Sequence, residues 1–327
     1  LFGSELSCMY LPYDLPDTVD RFLKRLSPAA ALVMETEIWP NLYHGLRARN
    51  VPLLLINARL SERSLRGYRR LAGLVRSSLH CARCICAQTG EDAQRFIALG
   101  AQRHRVFVSG NLKFDVALPV GFSARVAAIR TRLPLRRPLW VAGSTHPGEE
   151  GQILQAHNRI LQRRADALLL LAPRHPERAR ELTALCEQAG LVCRLYSETP
   201  LLQDHVQVVI IDELGELAPL YGVAGVAFVG GSLVIRGGHN PIEALLAGAP
   251  VLTGPHIANF QTIYEELVRA GAVKQVANEA ELASSVLAWL GDQGEGRRRA
   301  AAGQGVIARQ RGAAEDIVGH LEDLLPD

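Results

Sequence analysis

Short runs of branched aliphatic residues alternate with stretches of helical periodicity along almost the whole of this chain. That rhythm commits it to parallel sheets joined by crossover helices. In the first part, strands are expected over residues 30–35, 53–57, 83–87 and 105–109, with helices over 41–49, 62–80 and 91–99. A polar, proline-bearing stretch at 115–123 interrupts the pattern. A helix over 124–132 and a fresh series of strands follow, at 139–142, 167–172, 192–196, 206–211, 226–230 and 251–252. The fold class expected is therefore α/β, with two Rossmann-like parallel-sheet domains facing a cleft, where ligands meet the carboxyl ends of strands. A boundary near residue 120 gives an acceptor-side domain over 1–120 and a nucleotide-binding domain over 121–305. Apolar residues at helical spacing from Val306 to Leu325 predict a closing amphipathic helix over 306–327.

A length of 327 residues suits two cores of ordinary size. With 48% hydrophobic and 21% charged residues, the chain is neither disordered nor a disulfide scaffold. No apolar run approaches the ~20 residues that cross a bilayer. Six scattered cysteines read as free thiols of a reducing compartment. The net charge of +3 is unevenly spread, residues 1–120 holding 16 Lys/Arg against 10 Asp/Glu. Much of the excess is Arg59, Arg63, Arg66, Arg69, Arg70 and Arg76, which read first as a solvated helix face and second as a contact for an anionic lipid surface. Nucleic acid is not expected, since no aromatic interleaving or recognition motif accompanies the charge.

The strongest local signal runs from Phe228 to Leu252, FVGGSLVIRGGHNPIEALLAGAPVL. A strand ends at Gly230-Gly231, whose backbone N–H groups are free to approach a ligand, and Gly237-Gly238 supply a second turn. Asn240 then caps a helix with Pro241 at its first position, so that the positive end of the helix dipole meets an anion. Glu243, one turn in, can accept from a ribose diol. An ordinary tight turn explains the glycines but not the acid beside them. The whole points to an activated nucleotide donor, hence a glycosyltransferase.

Two further strand ends carry polar residues: Ala142-Gly-Ser-Thr-His-Pro-Gly-Glu-Glu, and Ala172-Pro-Arg-His-Pro-Glu, in which Arg174 suits a phosphate or carboxylate. In the first domain, Glu35 stands where a strand runs out, in Val33-Met-Glu-Thr-Glu-Ile-Trp-Pro-Asn. It can orient a hydroxyl or stabilise positive charge. Glu37 fits a helix-dipole partner. Lys113, in Ser109-Gly-Asn-Leu-Lys-Phe-Asp, can neutralise a leaving phosphate, with Asp115 as its pairing partner. No G-x-G-x-x-G follows a strand, no Walker loop occurs, and no Asp-x-Asp pair suggests a bridging metal. The segment His80-Cys-Ala-Arg-Cys-Ile-Cys86 has zinc-like composition, but a strand over 83–87 is expected to divide its thiols between two faces. No metal and no cofactor are therefore expected.

Taken together, Met34-Glu-Thr-Glu-Ile-Trp-Pro-Asn, Asn57-Ala-Arg-Leu-Ser, Leu112-Lys-Phe-Asp, Pro173-Arg-His-Pro-Glu-Arg, Leu214-Gly-Glu-Leu and the Gly230–Ala244 segment closely resemble the bacterial 3-deoxy-D-manno-octulosonic acid (Kdo) transferases of lipid A biosynthesis. The resemblance spans essentially the whole chain and implies a glycosyltransferase-B (GT-B) fold. It implies inverting, metal-independent transfer of Kdo from CMP-Kdo to a lipid A precursor, lipid IVA, at the cytoplasmic face of the inner membrane. By motif, Pro173, Arg174, Leu214, Gly215, Glu216, Asn240, Pro241, Ile242 and Glu243 would bind CMP, and Glu35 and Lys113 would stabilise the transition state. The family also has an N-terminal membrane anchor and a Ser-x-Gly-Glu segment whose Glu is the general base. With neither in this sequence, the expectation is a fragment that binds CMP but transfers Kdo poorly. A sugar-nucleotide epimerase of the same fold and a non-catalytic nucleotide-sugar-binding fragment are the alternative readings.

Overall fold

The computed structural model describes residues 6–133, 137–199 and 201–325. The chain divides into two compact units, one running to Asp115 and resuming at Gln310, the other spanning Val116–Arg309.

The first unit opens on α1 (Pro16–Leu26), which the sequence rhythm did not reveal because no strand signal precedes it. There follow β1 (Ala31–Met34), α2 (Pro40–Ala48), β2 (Leu53–Ala58), α3 (Glu62–Tyr68), α4 (Ala72–Leu79), β3 (Cys84–Ala87), α5 (Gly90–Ala98) and β4 (Val106–Val108). The four strands pair in sequence order, all parallel. The helix expected over 62–80 is two helices joined by a tighter turn at Arg69–Leu71. Gly67 and Gly73 flank that turn, where the weak helix propensity of glycine makes an interruption cheap. The arginines Arg63, Arg66, Arg69, Arg70 and Arg76 are exposed.

Strand alternation sorts the core of this unit. Leu53, Leu55 and Ile85 face α1, α2 and α4 through Leu23, Leu46, Val75 and Leu79. Leu54, Ile56, Cys84 and Cys86 face the other way. The expectation that the strand would divide its thiols is corrected here: Cys84 and Cys86 are two residues apart, so the period of two puts both on one face.

In the second unit come α6 (Phe122–Arg132), β5 (Leu139–Thr145), α7 (Glu150–Leu161), β6 (Leu168–Pro173), α8 (Ala179–Gln188), β7 (Cys193–Leu195), β8 (Val208–Ile210), α9 (Leu217–Tyr221) and β9 (Val226–Val229). The unit continues with α10 (Ile242–Leu246), β10 (Val251–Thr253), α11 (Gln261–Arg269), β11 (Val273–Gln275), α12 (Glu279–Gly291) and α13 (Gln293–Gln310). Its seven strands lie in the order β11-β10-β9-β5-β6-β8-β7, all parallel. Trp140, Leu169, Leu171, Ile210 and Phe228 point to one face and pack with Ile153, Leu154, Leu182, Val286 and Trp289 from α7, α8 and α12. Burial along β6 and β9, and along β5 at every position but Ser144, is what a doubly covered parallel sheet requires.

The chain then returns to the first unit as α14 (Ala313–Glu322). The single closing helix expected over 306–327 is thus the tail of α13 plus α14. The break falls at Gly312, which adopts φ 113°. Asp115, expected to pair with Lys113, instead accepts the N–H groups of Gly312 and Ala314 at 2.8 and 2.6 Å, capping α14. Ile317 of α14 packs against Leu54, Ile56, Cys84 and Cys86.

Candidate functional site

Strand order locates the site in the second unit. From β5 the chain moves to β6 on one side, and β9 lies on the other, so the carboxyl ends of β5 and β9 flank the switch point where such sheets bind ligands. Near its end β5 carries Ser144 at φ 55°, His146 follows it, and the segment after β9 carries the glycine loop.

A buried carboxylate organises this point. Glu149 accepts the backbone N–H of Gly231 at 2.5 Å, of Ser232 at 3.2 Å, of Leu233 at 3.1 Å and of His146 at 2.9 Å. The N–H of Gly230 is taken by Gly143 O at 2.8 Å. The loop donors that the sequence offers to a ligand are therefore held by the protein itself. Sequence reasoning missed Glu149 because it stands over 80 residues from the loop it organises. The glycines answer to the same carboxylate: a Cβ on Gly230 would sit 2.7 Å from Glu149 Oε1 and 2.7 Å from Ser144 O. Burial pushes the Glu149 carboxyl pKa up, against the pull of its backbone donors.

Around this scaffold, imidazoles and guanidinium groups converge. The Nε2 atoms of His146 and His239 lie 2.8 Å apart and their rings stack at 5.0 Å between centroids. His175 meets His146 edge-on at 6.2 Å. Burial lowers the pKa of His146, and the positive charge of Arg236, then of His175 and Arg174, adds to the effect. His239 falls to about 4, first through burial and then through His146, Arg174 and His175. Imidazole and guanidinium groups here disfavour one another's charge, a repulsion that an anion beside them would relieve.

Four residues expected at a nucleotide line one small cavity of about 110 Å³: Pro173, Arg174, Leu214 and Gly215, with Ser144 at its edge. Gly215 adopts φ 81°, and Leu214 is 80% exposed. Glu216 is committed elsewhere, paired with Arg125 at 2.5 Å, and Arg125 also bonds Gly215 O at 2.9 Å. Arg125 was not legible as a site residue, because it lies some 90 positions away on α6.

Asn240 Oδ1 accepts from Ile242 N at 3.0 Å, but α10 begins at Ile242, so Pro241 (φ −81°, ψ −12°) stands at the N-cap rather than at the first helical position expected of it. Ile242 is fully buried. Glu243 is half-buried, its carboxylate accepts no hydrogen bond among the described residues, and burial raises its carboxyl pKa. Its charge reaches the buried Tyr221 hydroxyl on α9, the helix that follows Leu214-Gly215-Glu216.

In the first unit, Glu35 and Lys113 come together. Glu35 leaves β1 with φ 61°, anchored by its N–H to Ile56 O at 2.9 Å, and its Oε1 lies 4.0 Å from Lys113 Nζ. The turn Leu112–Phe114 that carries Lys113 is held by Asn57 Oδ1, which accepts from Leu112 N at 3.1 Å, and by Asn111 Oδ1, which accepts from Lys113 N at 3.0 Å. Glu37 accepts from Trp39 Nε1 at 3.0 Å rather than serving a helix dipole.

Parallel sheets wrapped by helices, with a polar cluster at the strand ends beside the switch point, make this an α/β protein of the GT-B glycosyltransferase class. The structure of UDP-GlcNAc 2-epimerase from Neisseria meningitidis bound to UDP-GlcNAc shares that fold, with a TM-score of 0.59 over 94% of this chain and 79% of that one, at 14% identity. A closer likeness in sequence is the C-terminal CMP-Kdo binding domain of WaaA from Acinetobacter baumannii, 31% identical with a TM-score of 0.55, covering 58% of this chain and 99% of that domain. Residues 1–116 match the family described as 3-deoxy-D-manno-octulosonic-acid transferase (kdotransferase). The 3-deoxy-D-manno-octulosonic acid transferase of Haemophilus influenzae is 37% identical over 325 residues, 99% of this chain and 76% of the relative. The chain belongs to the Kdo transferase family and is a glycosyltransferase.

Proposed function

We propose that this Kdo transferase takes Kdo from CMP-Kdo and passes it to a lipid A precursor, lipid IVA, in lipopolysaccharide biosynthesis at the cytoplasmic face of the inner membrane. The observation that carries the donor assignment is that one unit holds both the cluster of Arg174, Arg236 and three histidines and, on α10, the Glu243 carboxylate. CMP-Kdo presents a phosphate and a carboxylate to the cationic side and a ribose diol to the acidic one. The CMP-Kdo binding domain from Acinetobacter baumannii supports the same reading. Pro173, Arg174, Leu214 and Gly215 contact the nucleotide, Asn240, Pro241 and Ile242 set the helix start against it, and Glu243 accepts from the ribose. Glu216 acts through its pair with Arg125, which fixes the Leu214-Gly215 turn.

Transfer is a single displacement with inversion. The acceptor oxygen bonds to the anomeric carbon, the bond from that carbon to the phosphate oxygen breaks, and CMP leaves with both electrons while the acceptor proton goes to a base. Glu35 stabilises positive charge on the sugar and Lys113 negative charge on the leaving side. A donor with a single phosphate needs no bridging metal when guanidinium, ammonium and imidazole groups supply the charge. No helix among the described residues is long and apolar enough to cross a membrane. The exposed arginines of α3 and α4 suit an anionic lipid surface.

Calorimetric titration and mass spectrometry test this. Binding of CMP at least tenfold tighter than UMP or UDP, with a CMP-Kdo-dependent gain of one Kdo mass on lipid IVA without added magnesium or manganese, is the expected result. A preference for UDP, or Kdo transfer that requires added magnesium or manganese, overturns it.

A further inference from the structure

The face of β3 opposite the main core of the first unit carries a group of side chains that neither the donor site nor the Glu35–Lys113 pair uses. Cys84 and Cys86 are 2% and 0% exposed, and their Sγ atoms lie 3.4 Å apart. From α14, His320 brings a ring nitrogen to them, so that one ligand atom from each of the three residues lies within 4.8 Å of the others. The His320 ring packs on Phe107 of β4 at 4.3 Å between centroids, which fixes its orientation. Two buried cysteines alone are unremarkable small hydrophobes. An imidazole delivered to both from another element adds a third donor of a kind that binds metal.

We propose that Cys84, Cys86 and His320 bind a zinc ion that ties α14 to the sheet of the first unit. Around a tetrahedral zinc with Zn–S of about 2.3 Å and Zn–N of about 2.0 Å, ligand atoms stand roughly 3.5–3.8 Å apart, within a few tenths of an ångström of the observed sulfur separation. Two thiolates and an imidazole are the soft and borderline donors that favour zinc over magnesium or calcium. Asp316, one turn before His320 on the same helix, is exposed and stands outside this group of ligand atoms, so water completes the tetrahedron. The charge balances: the ion displaces one proton from each thiol, and those two protons go to solvent.

Position gives the site its consequence. The N-terminus of α14 is capped by Asp115, two residues from Lys113. Leu112, Leu321 and Leu324 pack on the same small core as the thiols. An ion at this point holds the far end of the helix whose near end steadies the Lys113 turn. It is structural, and distinct from the metal-free transfer chemistry proposed above.

Zinc content of the full chain, purified without chelator, is the first measurement, with about one zinc per chain expected. Cobalt substitution of the zinc-stripped protein should then give a thiolate-to-cobalt charge-transfer band in the near ultraviolet. Cys84→Ser should abolish that band. Because Cys84→Ser alters a buried core, His320→Asn is the second variant: it keeps both thiols and should retain the circular dichroism of the parent while weakening zinc about 100-fold or more. Stripped protein that takes up no zinc at micromolar concentration, a zinc affinity unchanged in a folded His320→Asn, or a Cys84–Cys86 disulfide in freshly purified protein would each overturn the proposal.

Discussion

The Glu149 carboxylate accepts the backbone N–H of Gly231 at 2.5 Å, and through that bond a residue at the start of one crossover helix shapes the loop after another strand. Replacing it by glutamine swaps one acceptor oxygen for a donor that faces N–H groups. Glu149→Gln is expected to lower unfolding free energy by on the order of 3 kcal/mol, the cost of buried donors left without a partner. Urea denaturation measures this, and CMP affinity should fall with it because the loop geometry is lost. A fully stable variant with unchanged affinity would show that the loop holds itself.

Glu243 separates binding from stability. Burial holds its carboxyl pKa above the ordinary value, so the ionised form at neutral pH costs the folded state free energy relative to the unfolded one. Glu243→Gln removes that cost and should leave the melting temperature equal or raised. The same change weakens charge-assisted bonds to the ribose, and a roughly 10- to 100-fold rise in the CMP dissociation constant is expected. Deoxycytidine monophosphates lacking a ribose hydroxyl should lose less affinity in the variant than in the parent.

His239 should couple donor binding to pH. In the free protein its pKa lies near 4, below the ordinary value of 6.5, so it is neutral at pH 7. A phosphate bound beside it favours the imidazolium form and raises that pKa. Binding therefore takes up a proton, and affinity rises as pH falls from about 8 to 5.5, by at most tenfold per unit per proton. A methyl ester of CMP, whose phosphate keeps one charge over that range, isolates the protein's contribution. His239→Asn should flatten the profile, and a profile just as steep in that variant would remove His239 from the coupling.

Glu35 and Lys113 are expected to affect turnover rather than donor affinity. Glu35→Gln and Lys113→Met should each reduce kcat about 10²- to 10³-fold, the range for a preorganised electrostatic group, with CMP affinity changed little. Since the two lie 4.0 Å apart, the double variant should cost less than the product of the single losses. Simple additivity would mean that they act separately.

Much of the glycine loop and the helix start after it was legible in sequence because its parts are local. Asn240 caps the turn into Ile242, two positions on, and Pro241 takes helical dihedrals at the N-cap. Gly230 and Gly231 mark a close approach that any reader of the segment meets. What they approach was not legible: Glu149 and Arg125 act on partners over 80 positions away, and only the pairing of β5 with β9 and the packing of α6 beside α9 bring them there. The same holds for Asp115, whose nearest charged neighbour in sequence is Lys113 but whose hydrogen bonds go to Gly312 and Ala314.

The sequence by itself determined the class of this protein, since the alternation of strand and helix and the residues at strand ends obey short-range rules of period and capping that need no partner. Tertiary structure alone decided which of those groups are free for a ligand and which are consumed within the protein. It set the Glu149 carboxylate against the glycine loop, brought His239 to His146, and carried His320 from the last helix to two thiols of β3. The physical reason is that hydrogen bonds and charges are satisfied by proximity in space, and a chain of this length places its nearest neighbours far apart along itself.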